Sequence, residues 1–241
     1  MKNIFILLFT SFLSFGQNRL SIQIRSCKEI ESSVRILNEI ELYRNDSLIE
    51  TVAIDFEGFK QYEELPEGNY HVIANTFFGK KKSEIIPIKK TVNSDVFVIC
   101  IDALDEDVLN SSNSIIDNLK NNEEIKLSYS FGGCFNSGKF DVTIIQKKGK
   151  LFLKYNSKTK KLRIKQISIL KKFFIEFENL KDINPNTKCI STGYSIIEVS
   201  KQNEKKSFPF SCYHWSGFQN LEKDLKIKIK AEPINKNTNQ L

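Results

Sequence analysis

Asp55-Phe56-Glu57-Gly58-Phe59-Lys60-Gln61-Tyr62-Glu63-Glu64-Leu65-Pro66-Glu67-Gly68-Asn69-Tyr70 decides the fold of the first half of this chain. Asp55 and Gly58 make one turn. Leu65-Pro66-Glu67-Gly68 makes a second: proline at its second position has its φ already near the value a type I turn needs, and glycine suits the fourth. Tyr62 and Leu65 supply apolar anchors between the turns. Tyr70 then opens Tyr70-His71-Val72-Ile73-Ala74, which alternates between two faces as a half-buried strand does.

The same alternation extends in both directions. Leu20, Ile22 and Ile24 share one face of a strand, and Ile40-Glu41-Leu42 continues the pattern. Asn45-Asp46 turns the chain into Leu48–Ile54; Ile85–Ile88 and Val96–Ile101 follow. About seven short strands at close spacing, with no helical period among them, predict an antiparallel β-sandwich over residues 17–102.

The segment quoted first resembles the transthyretin-like, carboxypeptidase-regulatory-like β-sandwich, which is similar to the Cna B-type repeat: an Asp-Gly turn leads through aromatic residues into Leu-Pro-x-Gly-x-Tyr. The resemblance covers residues 34–101. It departs at Lys60, where family members carry an aromatic residue, Phe59 standing one place early. The resemblance implies a structural or adhesive spacer without catalysis, and it names no ligand.

Beyond residue 122 the pattern mixes strands with helices and predicts an α+β two-layer domain to residue 230, followed by a flexible tail over 231–241. Ile125–Phe131 alternates, and Phe140–Ile145 pairs across Lys147-Lys148-Gly149 with Leu151–Tyr155. Ile167, Leu170, Phe174, Phe177 and Leu180 recur at three and four, the period of an amphipathic helix. Tyr194–Val199 and Ser207–Cys212 make a hairpin around Gln202-Asn203. Pro209 lies in its second arm, which suits an edge strand because proline cannot donate to a ladder. Trp215–Leu225 closes the domain with a short helix. The connector, 103–121, is acidic and then Ser/Asn-rich, with one helical turn expected after Ser114.

Charge divides at the same place. Gln17–Lys120 carries 12 basic and 18 acidic side chains, net −6; Asn121–Leu241 carries 23 and 11, net +12. A basic module suits a surface polymer or protein as partner, because summed charge steers association. The lysines of 146–150 and 156–161 are placed at hairpin turns. No reading helix or aromatic RNA-binding signature points to nucleic acid. The first sixteen residues have one cation, an apolar run and then small residues, the pattern of a secretory signal, and predict an exported, periplasmic or extracellular protein. Their apolar run is shorter than the roughly 20 residues that span a bilayer, and no cysteine follows it directly, so neither a membrane span nor a lipid anchor is expected.

In an exported chain five cysteines imply disulfides with one thiol left over. Cys27 and Cys100 flank the sandwich and are paired on that ground; the ends of the second hairpin bring Cys189 to Cys212, leaving Cys134. Cys134 in Phe131-Gly132-Gly133-Cys134, with His214 as base, is the candidate centre of a small thiol-dependent or hydrolytic enzyme. No third orienting residue accompanies them, and a tight turn explains the glycines equally well. Cys189, Cys212 and His214 match no strong zinc template, so no metal or cofactor is expected. Tyr213, His214, Trp215 and Phe218 form an aromatic cluster able to stack on a ligand, although a lone tryptophan is more often a core anchor. A P-loop, a dinucleotide fingerprint and a nucleophile elbow are all missing. The balance favours an exported non-enzymatic binding or structural protein, with the thiol enzyme and a secreted inhibitor or immunity-type protein as alternatives.

Overall fold

The computed structural model describes residues 19–28, 39–54, 58–89, 94–133, 136–181, 193–210 and 215–232. Within them 52% of residues are strand and 17% helix, so the chain is mostly β. The expected leader lies outside the described residues, as do Cys134, Cys189, Cys212, Tyr213 and His214.

Alternation in the first half becomes two sheets. One has the order β4-β1-β8, built from β1 (Arg19–Arg25), β4 (Phe59–Glu63) and β8 (Ser94–Cys100). The other runs β3-β2-β5-β6, from β2 (Glu39–Arg44), β3 (Ser47–Ala53), β5 (Gly68–Thr76) and β6 (Gly79–Lys82), with β7 (Ile86–Ile88) also on β5. Leu20, Ile22 and Ile24 are buried, as are Ile40, Leu42, Tyr70 and Val72. The β2–β3 hairpin turns at Asn45 and Asp46, both at positive φ (47° and 63°). That turn matches the twist of the strands it joins.

Gly58 and the second turn of the deciding segment are tied to neighbours, while Asp55, Phe56 and Glu57 of the first turn lie outside the described residues. Gly58, at φ 70°, accepts a hydrogen bond from the Ile24 amide at 2.6 Å, and a Cβ there would lie 2.1 Å from the Ile24 carbonyl oxygen. Only glycine satisfies both the backbone angle and the approach. At the second turn the buried Tyr70 donates its hydroxyl to the Pro66 carbonyl at 2.7 Å, and the Arg44 guanidinium donates twice to Glu67 O. Burial pushes the Tyr70 phenol up, with the Arg44 charge opposing it.

The connector holds α1 (Glu106–Ser111), which the sequence did not announce, and then a turn over 115–118 where one was expected after Ser114, whose hydroxyl accepts from the Ile116 amide at 3.4 Å. Ile116 and Leu119 beyond it are buried, so the connector packs down instead of spanning solvent. The Lys171 hydrogen bond holds the Asp117 carboxyl below its usual range.

A six-stranded antiparallel sheet follows, ordered β12-β11-β10-β9-β13-β14. Its strands are β9 (Glu124–Gly132), β10 (Ser137–Lys147), β11 (Lys150–Tyr155), β12 (Lys158–Lys161), β13 (Tyr194–Lys201) and β14 (Glu204–Phe210). Pro209 does sit on the edge strand, opposite Ile196. The alternation did not predict β12, whose four residues are three lysines and a threonine; Asn156 and Ser157, both at positive φ, fold it back onto β11. The hairpin turn is Asn156-Ser157, and the lysines placed there belong to the strand.

One face of this sheet joins the apolar cluster that contains α2 (Ile164–Asn179) and α3 (Gly217–Leu225). Phe218 of α3 stacks on Tyr129 of β9, centroids 5.1 Å apart. Five successive α2 residues, Phe173–Phe177, are buried, where an amphipathic helix would leave a wet face. The cluster runs without a break from Leu20 to Ile229, so both halves share one core. Glu232, placed in a flexible tail by the sequence, exchanges two backbone hydrogen bonds with Lys139.

Candidate functional site

Two features of the molecule are organised beyond what packing requires. The first is the junction of its halves. Cys27, just past β1, is disulfide-bonded to Cys100 at the end of β8, with Cα atoms 5.3 Å apart. The parallel pairing of β1 with β8, Arg25 opposite Cys100, brings the two together. Asp102, 1% exposed, accepts from the Ser26 hydroxyl and from the amides of Cys27 (2.8 Å) and Lys28 (3.0 Å). Three donors on one buried carboxylate balance its desolvation.

Lys28 then reaches across to the second half, its ammonium 2.6 Å from the Glu176 carboxylate on α2. Glu176 stands in Phe173-Phe174-Ile175-Glu176-Phe177, and a charge embedded in such a run needs a partner. That anomaly was the available signal for the pair. Close by, the Lys181 amide donates to the Phe77 carbonyl at 2.9 Å. Beside the ion pair α2 and α3 leave a cleft of about 270 Å³, bounded by Phe173, Lys172, Leu221 and Asn220. It is smaller than most organic-ligand sites, which span roughly 300–1,000 Å³.

The second feature is a division of charge on the open face of the six-stranded sheet. On the β9, β13 and β14 side lysines are matched: Lys126 with Glu124, Lys205 with Glu198, and Lys139 of β10 with Asp141. From Lys147 at the end of β10 through β11 and β12 they are not. From Val142 to Ile175 the chain carries 11 lysines and arginines and no carboxylate. Lys147, Lys150, Lys154 and Lys161 are exposed there, and none is in an ion pair among the described residues. The arrangement can hold anions.

Of the aromatic residues singled out as possible ligand contacts, Trp215 and Phe218 are both 1% exposed. Trp215 stacks on Phe173 at 5.5 Å and Phe218 on Tyr129, so their faces are turned to the core. The other candidates, Tyr213 and His214, and the second cysteine pair lie outside the described residues. His71, on β5, stacks on Tyr43 at 4.7 Å away from both features.

No protein-family model matches the sequence, and no curated protein matches it. Among solved structures it is similar to the Bacillus anthracis TIE protein, at 10% identity and a TM-score of 0.35 over 82% of this chain and 32% of that one. This chain therefore spans about a third of the TIE protein's length. It is similar also to the D312A form of BcpA*, the major pilin subunit of Bacillus cereus (10% identity, TM-score 0.28, 81% of this chain and 68% of that one). A DUF3823 family protein from Bacteroides ovatus gives 11% identity and a TM-score of 0.27 over 81% and 99% of the two chains. Likenesses this distant carry no argument about function.

Proposed function

We propose that this is an exported, non-enzymatic binding or structural protein whose β-sandwich serves as a spacer and whose basic α+β second half contacts a surface polymer or protein. The uncompensated lysines on the open sheet face carry the reading: exposed cations left without internal partners cost little in water and attract anions from a distance. The Cys27–Cys100 disulfide supports export, since such bonds persist in oxidising compartments. The tyrosine-anchored turn at Pro66 supports a transthyretin-like sandwich as the spacer, and the Lys28–Glu176 pair supports a fixed setting of one half against the other.

The test is in two parts. Cell fractionation after expression from its own leader should place the protein outside the cytoplasm. Purified protein should then bind intact cells of its source saturably and release with salt. Cytoplasmic retention, or hydrolytic turnover lost in a Cys134→Ser variant, would overturn the reading.

A further inference from the structure

The open sheet face has a centre. On β11 Lys150, Phe152 and Lys154 point to the side opposite Leu151, Leu153 and Tyr155, which pack into or against the core. The register sets Lys161 of β12 directly across from Phe152 on one side and Ile145 of β10 on the other. Lys147 faces Lys150, and Lys154 lies between Thr143 and Thr159. Phe152 is only partly buried and is not among the half-buried side chains packed against the core, unlike its neighbours Leu151 and Tyr155. A large ring held at the surface among four cations that have no ion-pair partner among the described residues is poorly explained by stability alone.

Strand geometry gives the scale. Residues two apart on a strand are about 6.6 Å apart and neighbouring strands about 4.8 Å. The four ammonium groups therefore surround Phe152 in a patch about 13 Å by 10 Å. Lysine stems long enough to swing make each charge adjustable around the ring. The two turn tips bordering the patch, Lys148-Gly149 and Asn156-Ser157, are polar.

We propose that this patch binds an acidic polysaccharide, with the C–H face of one sugar ring on Phe152 and carboxylates or sulfates of the same and adjacent sugars on Lys150, Lys154, Lys161 and Lys147. The inference rests on the reading of the second half as a polymer-binding module and names its ligand. Single-stranded nucleic acid fits less well, because successive bases need successive aromatic platforms, and β10–β12 present only Phe152 on this side; the exposed Tyr194 stands on β13, three strands away. An anionic membrane fits less well too, since binding there needs apolar side chains projecting beyond the cations, whereas the protruding tips are polar.

The full chain is titrated at low and at physiological salt with alginate, neutral dextran, oligo-dT and anionic phospholipid vesicles. Alginate should bind and weaken with salt, and dextran should not bind. A Lys150→Glu/Lys154→Glu/Lys161→Glu variant should lose about tenfold or more in alginate affinity, and Phe152→Ala about threefold to tenfold. Lys205→Gln, on the matched side, should change nothing, and melting temperatures should stay near that of the parent in all three variants. Alginate affinity untouched by the triple reversal refutes the site. Tighter binding of oligo-dT or vesicles than of alginate refutes the ligand class. Protein that binds intact cells but not alginate overturns this inference and leaves the polymer-binding reading standing; protein that binds neither overturns both.

Discussion

Replacing both Cys27 and Cys100 with serine, leaving Cys134, Cys189 and Cys212 as they are, should cost the protein about 4 kcal/mol. The bond closes a loop with a sequence separation of 73. In the chain-entropy account, forbidding a loop of that length to open in the unfolded state is worth about 4 kcal/mol at room temperature, within a usual span of roughly 2–5. Little should be added by lost packing, because Cys27 is exposed and Cys100 half-buried. For a chain of this length each kcal/mol corresponds to roughly 2–4 °C, so the melting temperature should fall by roughly 10 °C or more. The assay is calorimetry and guanidinium unfolding of the parent and the double variant, with the remaining thiols alkylated in both. Amide exchange supplies a second readout: the Cys27 and Lys28 amides, which donate to Asp102 rather than depend on sulfur, should stay protected in the variant. A loss below about 1 kcal/mol would refute the entropic reasoning. Deprotection of those two amides would show that Asp102 does not hold the strand end by itself.

Lys28→Met should destabilise more than Glu176→Gln, by urea unfolding, because the first strands a carboxylate whose side chain is 6% exposed while the second leaves an ammonium at 24% that can hydrate; the reverse order would place the pair in solvent. Burial holds the His71 imidazole below its ordinary range, with Lys82 adding to the effect and Asp46 opposing it. The unfolded chain then binds a proton that the folded chain refuses. Stability should be full above about pH 6.5, fall as the pH drops below it, and level off once the folded imidazole also protonates; His71→Phe should flatten that segment of the stability curve. Gly217→Ala should cost about 1–3 kcal/mol despite the better helix propensity of alanine, since its Cβ would lie 2.3 Å from a ring carbon of Trp215; an unchanged melting temperature would mean that the indole moves freely. Trp215, the only tryptophan, should resist iodide quenching until the protein unfolds.

Much of the architecture was legible because a period-two pattern leaves one face to bury. Leu20, Ile22 and Ile24 announced β1, and the Lys148-Gly149 turn announced the β10–β11 hairpin. Where a strand carries no such pattern the sequence is silent: Lys158–Lys161 is strand only because Asn156 and Ser157 turn it against β11. The connector misled for the converse reason. Its acids and serines suggested a solvated linker, yet two apolar side chains, Ile116 and Leu119, suffice to dock it. At the junction, pairing Cys27 with Cys100 needed only their positions around the sandwich. The Asp102 hub gave no local sign, because its donors lie about 75 residues away in sequence. On the open face the lysines were visible but placed at turns; strand register turns them into a surface around Phe152.

The parallel pairing of β1 with β8 has a consequence for how the chain comes together in time. The first strand of the sandwich is central in its sheet, and its partner on one side does not exist until residue 100 has been delivered. A chain emerging from its N-terminus can form the β2–β3 hairpin and lay β5 on β2 while β1 still waits with one side unpaired. Contacts this distant in sequence form slowly, so β1 is the segment most exposed to capture by a chaperone, or by another copy's β8, during delivery. Chains kept apart from one another until β8 is complete should pair β1 with their own β8. Chains crowded together while β1 still waits should accumulate dimers that have exchanged β8 and are held by Cys27 of one chain bonded to Cys100 of the other.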